Sequence, residues 1–352
     1  MALSTIQNNS FADTAVHGRR NLIINGAMQV AQRGSSFAGA TTAYHTDRWI
    51  DVMNVGTWTV SQTTDGPDGF GNSHKWDCTA TGSLSAGSEL IFVTRLEGQD
   101  LQQLKYGTSD AESLTFSFWV KSSKTGTYTV EFDQYGDRQI SRTYTINSAN
   151  TWEYKTLTVP GDTAGSIDND NSAEFQMLFW LGAGSNLTSG TLNTAAWAAV
   201  TNANRVSSSQ VNLADSTAND WYVTGVQLEL GSDATPFEHR SYGEELMLCQ
   251  RYFHQNAYGG VPGLSGGYSG IAFAAEETAG GYNFPTYMRA NPSITLYDSA
   301  GNSGRAHRNR SSDHTNACSA ALLSQTGFCA FTTTGMATNA GYCAGVRADA
   351  EL

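Results

Sequence analysis

Between Ser113 and Gly231 the chain repeats one pattern, in which apolar and polar residues alternate over a short run that then stops at Gly, Asn or Asp. Period-two alternation puts every second side chain on one face, so each run reads as a half-buried strand and not as a helix. The runs are SLTFSFWVKSS (Ser113 to Ser123), GTYTVEFDQYG (Gly126 to Gly136), RQISRTYTI (Arg138 to Ile146), TWEYKTLTVPG (Thr151 to Gly161), EFQMLFWLGAG (Glu174 to Gly184) and DWYVTGVQLELG (Asp220 to Gly231). In the first, Leu114, Phe116, Phe118 and Val120 share a face. In the last, Tyr222, Thr224, Val226, Leu228 and Leu230 have one parity, and Val223, Gly225, Gln227 and Glu229 the other.

Strands so punctuated predict two packed antiparallel sheets, an all-β fold with a jelly-roll β-sandwich over residues 21–240. Composition agrees, since only 15% of the 352 residues are charged while 36 are Gly and 11% are aromatic. The net charge of −12 and pI near 4.9 remove the phosphate attraction on which nucleic-acid binding depends. No window holds the roughly 18 apolar residues of a membrane span, and the first residues lack a basic leader with an apolar core, so neither membrane insertion nor signal-peptide export is expected. The five cysteines, Cys78, Cys249, Cys318, Cys329 and Cys343, have no CxxC or zinc spacing. They read as reduced thiols, with a Cys318 to Cys329 or Cys329 to Cys343 bridge as the alternative.

The clearest helix is SYGEELMLCQRYF, Ser241 to Phe253, where Ser241 and Glu244 form a capping box. It opens a connector, 241–269, that runs into a glycine-rich linker. Residues 270–352 then read as a smaller β-rich unit with few large aliphatic side chains. Its core is expected to be marginal alone, and association with copies of itself would offset the deficit.

The segment MALSTIQNNSFADTAVHGRRNLIINGAMQVAQRGSSF, with YHTDRWI, WYVTGVQLELGSDATPFEHRSYGEELMLCQRYF, FPTYMRANPSITLYDSAGN and RADAEL, resembles tail-fibre and head-fibre type virion proteins of tailed bacteriophages, those of marine and cyanobacterial hosts above all. The middle, Ala111 to Gly184, is similar in strand order to jelly-roll carbohydrate-binding modules. The resemblance implies a non-enzymatic virion protein, a homotrimeric tail-fibre subunit that contacts host-surface glycan. A capsid-attached head fibre or decoration protein is one alternative and a glycan depolymerase another. It further implies that residues 1–20 join the chain to other virion proteins, with Arg19 and Arg20 as ion-pair donors. NLIINGAMQVAQRG would then be the first strand and turn of the sandwich, with its turn at Asn25-Gly26.

No residue pattern supports catalysis or a cofactor. The seven histidines form no metal-binding spacing, and there is no GxSxG, P-loop or GxGxxG opening a helix. Glu97 reads as a structural partner of Arg95, and Asp168 to Asn171 lacks the Gly and distal Glu of a calcium loop. Glycan recognition needs exposed rings beside short polar groups. Trp49, Trp119 and Trp180 read as core. The candidate glycan loops are Trp197 with Asn202 and Asn204, and Tyr135 with Asp137 and Arg138. Arg240, Glu244, Glu245 and Arg251, at the strand-to-helix join, are candidates for contacts between subunits.

Overall fold

Each alternating run becomes a strand in the computed structural model, which describes residues 19–256, 268–274, 277–298, 300–308, 318–333 and 341–352. The chain forms two compact units. One consists of residues up to Gln29 with Ser36–Ala43 and Ile50–Arg240, and the other of Val30–Ser35, Tyr44–Trp49 and Ser241–Leu352.

From Ser36 to Leu230 the chain runs β1 (Ser36–Ala38), β2 (Ala43–Thr46), β3 (Trp49–Met53), β4 (Thr57–Thr63), β5 (Ser73–Ala80), β6 (Glu89–Glu97), β7 (Leu114–Ser122), β8 (Gly126–Asp133), β9 (Arg138–Ile146), β10 (Glu153–Val159), β11 (Ala173–Ala183), a one-turn helix α1 (Ser185–Thr188), β12 (Ala198–Ala199) and β13 (Asp220–Leu230). One sheet has the order β1-β4-β5-β13-β7-β10, and the other β12-β9-β8-β11-β6-β3-β2. The result is a β-sandwich of the jelly-roll type. Phe116, Phe118 and Val120 of β7 point inward with no exposure, as their parity requires. Phe118 meets Phe179 of β11 edge to face at 4.9 Å, and Phe116 meets Phe132 of β8 at 5.5 Å and 87°. Such ring pairs contribute about 0.5–1.5 kcal/mol beyond their buried area. Trp49 and Trp180 are buried as expected.

Strand β13 departs from its predicted parity. Trp221 and Val223 face the core, and then the register against β7 shifts between Thr224 and Gln227, so that Val226 and Leu228 face the core instead. The cause is a bulge at Gly225, whose φ of +61° is a left-handed conformation that glycine adopts without a Cβ clash. Tyr222 and Thr224 are thereby directed to the outer face and not to the side occupied by Leu228.

The segment before β1 is also different from expectation. Leu22 N–H donates to Leu228 O at 2.9 Å and Val226 N–H to Gly26 O at 2.9 Å, so it lies along β13, yet it forms no regular strand. Asn25 and Met28 have φ of 59° and 54°, which breaks the extended ladder. The turn expected at Asn25-Gly26 is present, closed by Met28 N–H to Asn25 O at 3.0 Å. Arg240 clamps this segment by donating to Ile23 O at 2.9 Å and to Asn21 O. Arg20 is held too, its N–H on Glu238 at 2.9 Å and its guanidinium on Pro236 O at 3.0 Å. The proposed joining segment lies outside the described residues as far as residue 18.

In the second unit α2 (Tyr242–Gln250) starts where the capping signal placed it, with Ser241 Oγ accepting from Glu244 N–H at 3.3 Å. Glu245 is buried beside it. There follow β14 (Phe253–Gln255), β15 (Tyr268–Ala274), β16 (Glu277–Ala279), β17 (Tyr282–Asn283), β18 (Ser293–Tyr297), β19 (His307–Arg308), β20 (Cys318–Ser324), β21 (Gly327–Thr333) and β22 (Gly341–Asp349). Strand β22 is the hub, pairing with β14, β15, β18 and β19. The scarcity of aliphatic groups is met by rings and alanines, with Tyr282, Phe284, Phe328, Ala344 and Ala348 in one cluster. It is met also by cations, since Arg33 stacks 3.5 Å over Phe253 and Arg48 stacks 3.4 Å over Tyr252. The predicted glycine-rich linker lies largely outside the described residues. All five cysteines are free thiols, and burial pushes Cys318 up to about 12.

Candidate functional site

The outer face of the β1-β4-β5-β13-β7-β10 sheet carries a cluster of rings. Register places Tyr154 of β10 opposite Trp119 of β7, and Trp119 opposite Thr224 of β13. One pleat further along, Tyr222 of β13 lies between Lys121 of β7 and Lys75 of β5. Residues two apart on one strand share a face, so these rows stand side by side. Tyr154 and Trp119 have ring centroids 5.3 Å apart, and Trp152, just before β10, meets Tyr222 at 6.2 Å. Tyr154 is 43% exposed, and Trp119 and Trp152 are half-buried.

Trp119 is therefore not a core residue, which corrects the sequence reading. Its parity is opposite to that of Phe116, Phe118 and Val120, and this was the signal for an outward ring. Tyr154 and Tyr222 escaped sequence reasoning because an isolated tyrosine in a strand does not reveal which face it occupies until the register is known.

The cations around these rings are tied to carboxylates. Lys121 Nζ lies 4.1 Å from the Tyr222 centroid and 5.2 Å from that of Trp152, and it is ion-paired with Asp65. Asp65 also accepts from Trp152 Nε1 at 3.2 Å. The hydrogen bond from Lys121 holds Asp65 below the usual carboxylate range, with burial opposing. Lys75 pairs with Asp77 at 3.2 Å, while on the opposite face of β10, across from Val120 and Phe118, Lys155 pairs with Glu153 at 2.6 Å. Burial alone would push Glu153 up, but hydrogen bonds from Lys155 and from the N–H groups of Ser148 and Asn147 hold it at about 2. Lys75 and Lys121, the two cations among the rings, thus each meet a carboxylate. The side chains are also fixed in place, as a shaped binding surface requires.

The two loops singled out in the sequence meet at one edge of the other sheet. Ala198 and Ala199 pair with Gln139 and Arg138, and Val200 N–H donates to Asp137 O at 3.1 Å. Trp197, however, is inside, which corrects its placement on a ligand-facing loop. Its ring packs 5.8 Å from both Tyr106 and Phe175, and its Nε1 donates to Pro160 O at 2.7 Å. Arg138 is turned away from Tyr135. It donates to both carboxylate oxygens of Asp162 and to Trp197 O at 3.0 Å. Asp162 also accepts from Gln134 at 2.7 Å and stays below its ordinary value although burial opposes this. Asn202 is exposed and Asn204 half-buried on a short helical turn, and Asn204 O accepts from Asn193 N–H at 3.1 Å. Tyr135 is 48% exposed, and Asp137 beside it is exposed. The cation over the Tyr135 ring is Arg95, at 5.3 Å.

Residues 185–216 cover much of that sheet's outer face. Arg205 reaches Glu131 at 2.8 Å, Gln210 donates to Trp180 O at 2.8 Å, and Asn193 donates to Gln139 O at 2.7 Å. Glu131 has no exposure and accepts from Trp180 Nε1 at 3.0 Å. Burial pushes it up to about 7 against the pull of Arg205. A proton donor would need such a value, but this carboxyl is enclosed. Among the described residues no group of three or more His, Cys, Asp or Glu side chains is placed to hold a metal ion, and no helix is long and apolar enough to cross a membrane.

No family model matches the chain, and no curated protein matches it. Solved structures similar to it include tailspike protein 4 of bacteriophage CBA120, in its enzymatically active domain, at 14% identity and a TM-score of 0.33 over 60% of this chain. The chain spans only 21% of that tailspike structure. Two others are carbohydrate-binding modules. One is TmCBM61 in complex with β-1,4-galactotriose, at 8% identity and TM-score 0.31, matched over 60% of this chain and 100% of that one. The other is the family 11 module of a Clostridium thermocellum cellulase, at 14% identity and TM-score 0.26, matched over 57% and 94%. At these scores nothing about function follows from the likeness.

Proposed function

We propose that this chain is a non-enzymatic glycan-binding protein of a tailed-phage virion, a tail-fibre subunit that contacts host-surface saccharide. The observation that carries the binding half is the outward ring cluster Trp119, Trp152, Tyr154 and Tyr222. Trp119, Trp152 and Tyr154, half-buried or exposed on a rigid sheet with the buried Tyr222 packed against Trp152, stand among hydroxyls and pre-paired charges and match the C–H faces and hydroxyls of a sugar. The pairing of Lys75 and Lys121 favours a neutral sugar over an acidic one, because both cations have carboxylates beside them already. Against catalysis stands the enclosure of Glu131, the carboxyl whose proton affinity would suit a glycosidase acid.

The virion half rests on the resemblance of the sequence at both ends of the sandwich. In that reading residues 1–20 join the chain to other virion proteins, Arg19 included. Arg20 already serves the sandwich through Glu238 and Pro236. The subunit works as a homotrimer, with Arg251 and Glu244 at the helix as subunit contacts, while Arg240 acts within its own sandwich. Three copies would multiply individually weak glycan contacts into a useful avidity.

Two experiments test the halves separately. The purified chain is applied to an array of bacterial and plant polysaccharides beside a Trp152→Ala/Tyr154→Ala double variant. Retention by the parent alone is the expected result, and equal retention by both would remove the platform from the site. Deleting residues 1–18, which leaves the Arg20 contacts in place, is expected to give a folded protein missing from particles. Density for this chain on the capsid lattice would establish the head-fibre alternative instead.

A further inference from the structure

The Tyr154–Trp119 pair does not end the aromatic surface. On the far side of Trp119 lies Gly225, and a Cβ there would stand 2.7 Å from Phe70 Cζ and 3.1 Å from Trp119 Cδ1. Phe70 and Trp119 thus close in on the same bulge, over the space that a side chain would have filled. Phe70 continues into Phe237 at 5.1 Å and His239 at 5.2 Å, and those two rings are 4.9 Å apart. Phe70 and Phe237 are half-buried, and His239 is exposed.

We infer that these rings form one tract, from Tyr154 through Trp119 and Phe70 to His239, that holds an internal stretch of a linear neutral polysaccharide at several successive sugar units. This rests on the glycan reading above and extends it from a platform to a chain-length requirement.

The loop between β4 and β5 supplies one ring of the tract and braces the rings beside it. Its Asp65 carboxylate fixes Lys121 and Trp152, while Phe70, five residues on, lies against the Gly225 bulge. The loop is tied down at its close, where Ser73 Oγ donates to Asp65 O at 2.5 Å and Thr224 Oγ1 donates to Asn72 O at 2.7 Å. Tyr154 stands on β10, the edge strand of the sheet, so the tract runs out to an edge. A saccharide lying across it would meet one ring after another, and each ring adds a modest contact of its own. Single sugars would occupy one station and bind weakly.

The test is calorimetric titration of the full chain with graded fragments, from single sugars to hexasaccharides, of the polysaccharide retained on the array, beginning with neutral β-glucan and β-galactan ladders. Affinity is expected to rise at least about tenfold between the single sugar and the tetrasaccharide, which is about 1.4 kcal/mol. His239→Ala is expected to lower affinity for the long fragments several-fold and leave that for disaccharides unchanged. Phe70→Leu provides the same reading one station inward, and its thermal unfolding checks that the loop survives. A disaccharide that binds as tightly as the hexasaccharide overturns the tract while leaving the platform intact. Failure of every polysaccharide to bind overturns the glycan reading and the tract together.

Discussion

Tyr154 and Trp119 lie opposite one another on β10 and β7, with ring centroids 5.3 Å apart on the outer face of the sheet. Opposed aromatic pairs stabilise strand pairing by about 0.2–1 kcal/mol, so folding explains part of their presence. It does not explain why Tyr154 keeps 43% of its surface in water.

Tyr154→Ala should separate the two roles. We expect glycan affinity to fall about tenfold or more, as for an anchoring aromatic contact, which is at least about 1.4 kcal/mol. Unfolding free energy should drop by no more than about 1 kcal/mol. Calorimetric titration and denaturant unfolding on one preparation give both numbers, and a large stability loss with unchanged affinity would make the pair structural only.

Trp197→Ala should behave in the opposite way. Its ring is packed between Tyr106 and Phe175, and its N–H is bonded to Pro160 O. Removing a buried tryptophan costs about 3–5 kcal/mol through lost contacts and the cavity left behind. We expect a marked fall in the unfolding midpoint and unaltered glycan affinity at a temperature where the variant remains folded. A selective loss of binding would return Trp197 to the ligand surface.

These two residues also show what was legible in the sequence. Strand existence was plain from alternation, and β7 through β11 lie where the runs placed them, within three residues at either end. Which face a ring occupies depends on parity, and parity is a local property only while the strand is regular. At Gly225 the bulge exchanges the faces, so Leu228 and Tyr222, equal in parity, end on opposite sides. Trp197 sits among small and polar residues that suggest an exposed loop. Its burial is set by Tyr106 and Phe175, distant in sequence. The aromatic tract gathers Phe70, Trp119, Tyr154 and His239 from separate segments, and no spacing rule connects them.

Glu131 predicts a dependence on pH. Burial raises its folded value to about 7 from 4.5 in a solvated chain, Arg205 opposing. The folded state therefore holds the proton more tightly than the unfolded state does. Stability from this group is complete below about pH 4.5 and is lost as pH rises toward 7, by at most about 3 kcal/mol. Glu131→Gln should flatten that slope in denaturant titrations at a series of pH values. An unchanged slope would place the titration elsewhere.

Arg48 and Glu351, 303 residues apart in sequence, form an ion pair inside the second unit. The segments Val30–Ser35 and Tyr44–Trp49 belong to this unit and supply the cations that it packs around. Arg48 is 1% exposed, lies 3.4 Å over Tyr252, and has a φ of 70°, a backbone conformation that an arginine adopts only when its surroundings hold it. Arg33 pairs with the same Glu351 at 3.2 Å and stacks on Phe253. Glu351→Ala leaves two enclosed guanidinium groups short of their shared carboxylate, and removing one member of a buried pair costs about 3–5 kcal/mol. A second change, Arg48→Met, removes the stranded charge and keeps a long apolar side chain over Tyr252. We expect the double variant to recover part of the stability lost in the single one, read as the coupling free energy of a double-mutant cycle. Additive losses would mean that Arg48 contributes by its stacking on Tyr252 and not by its charge.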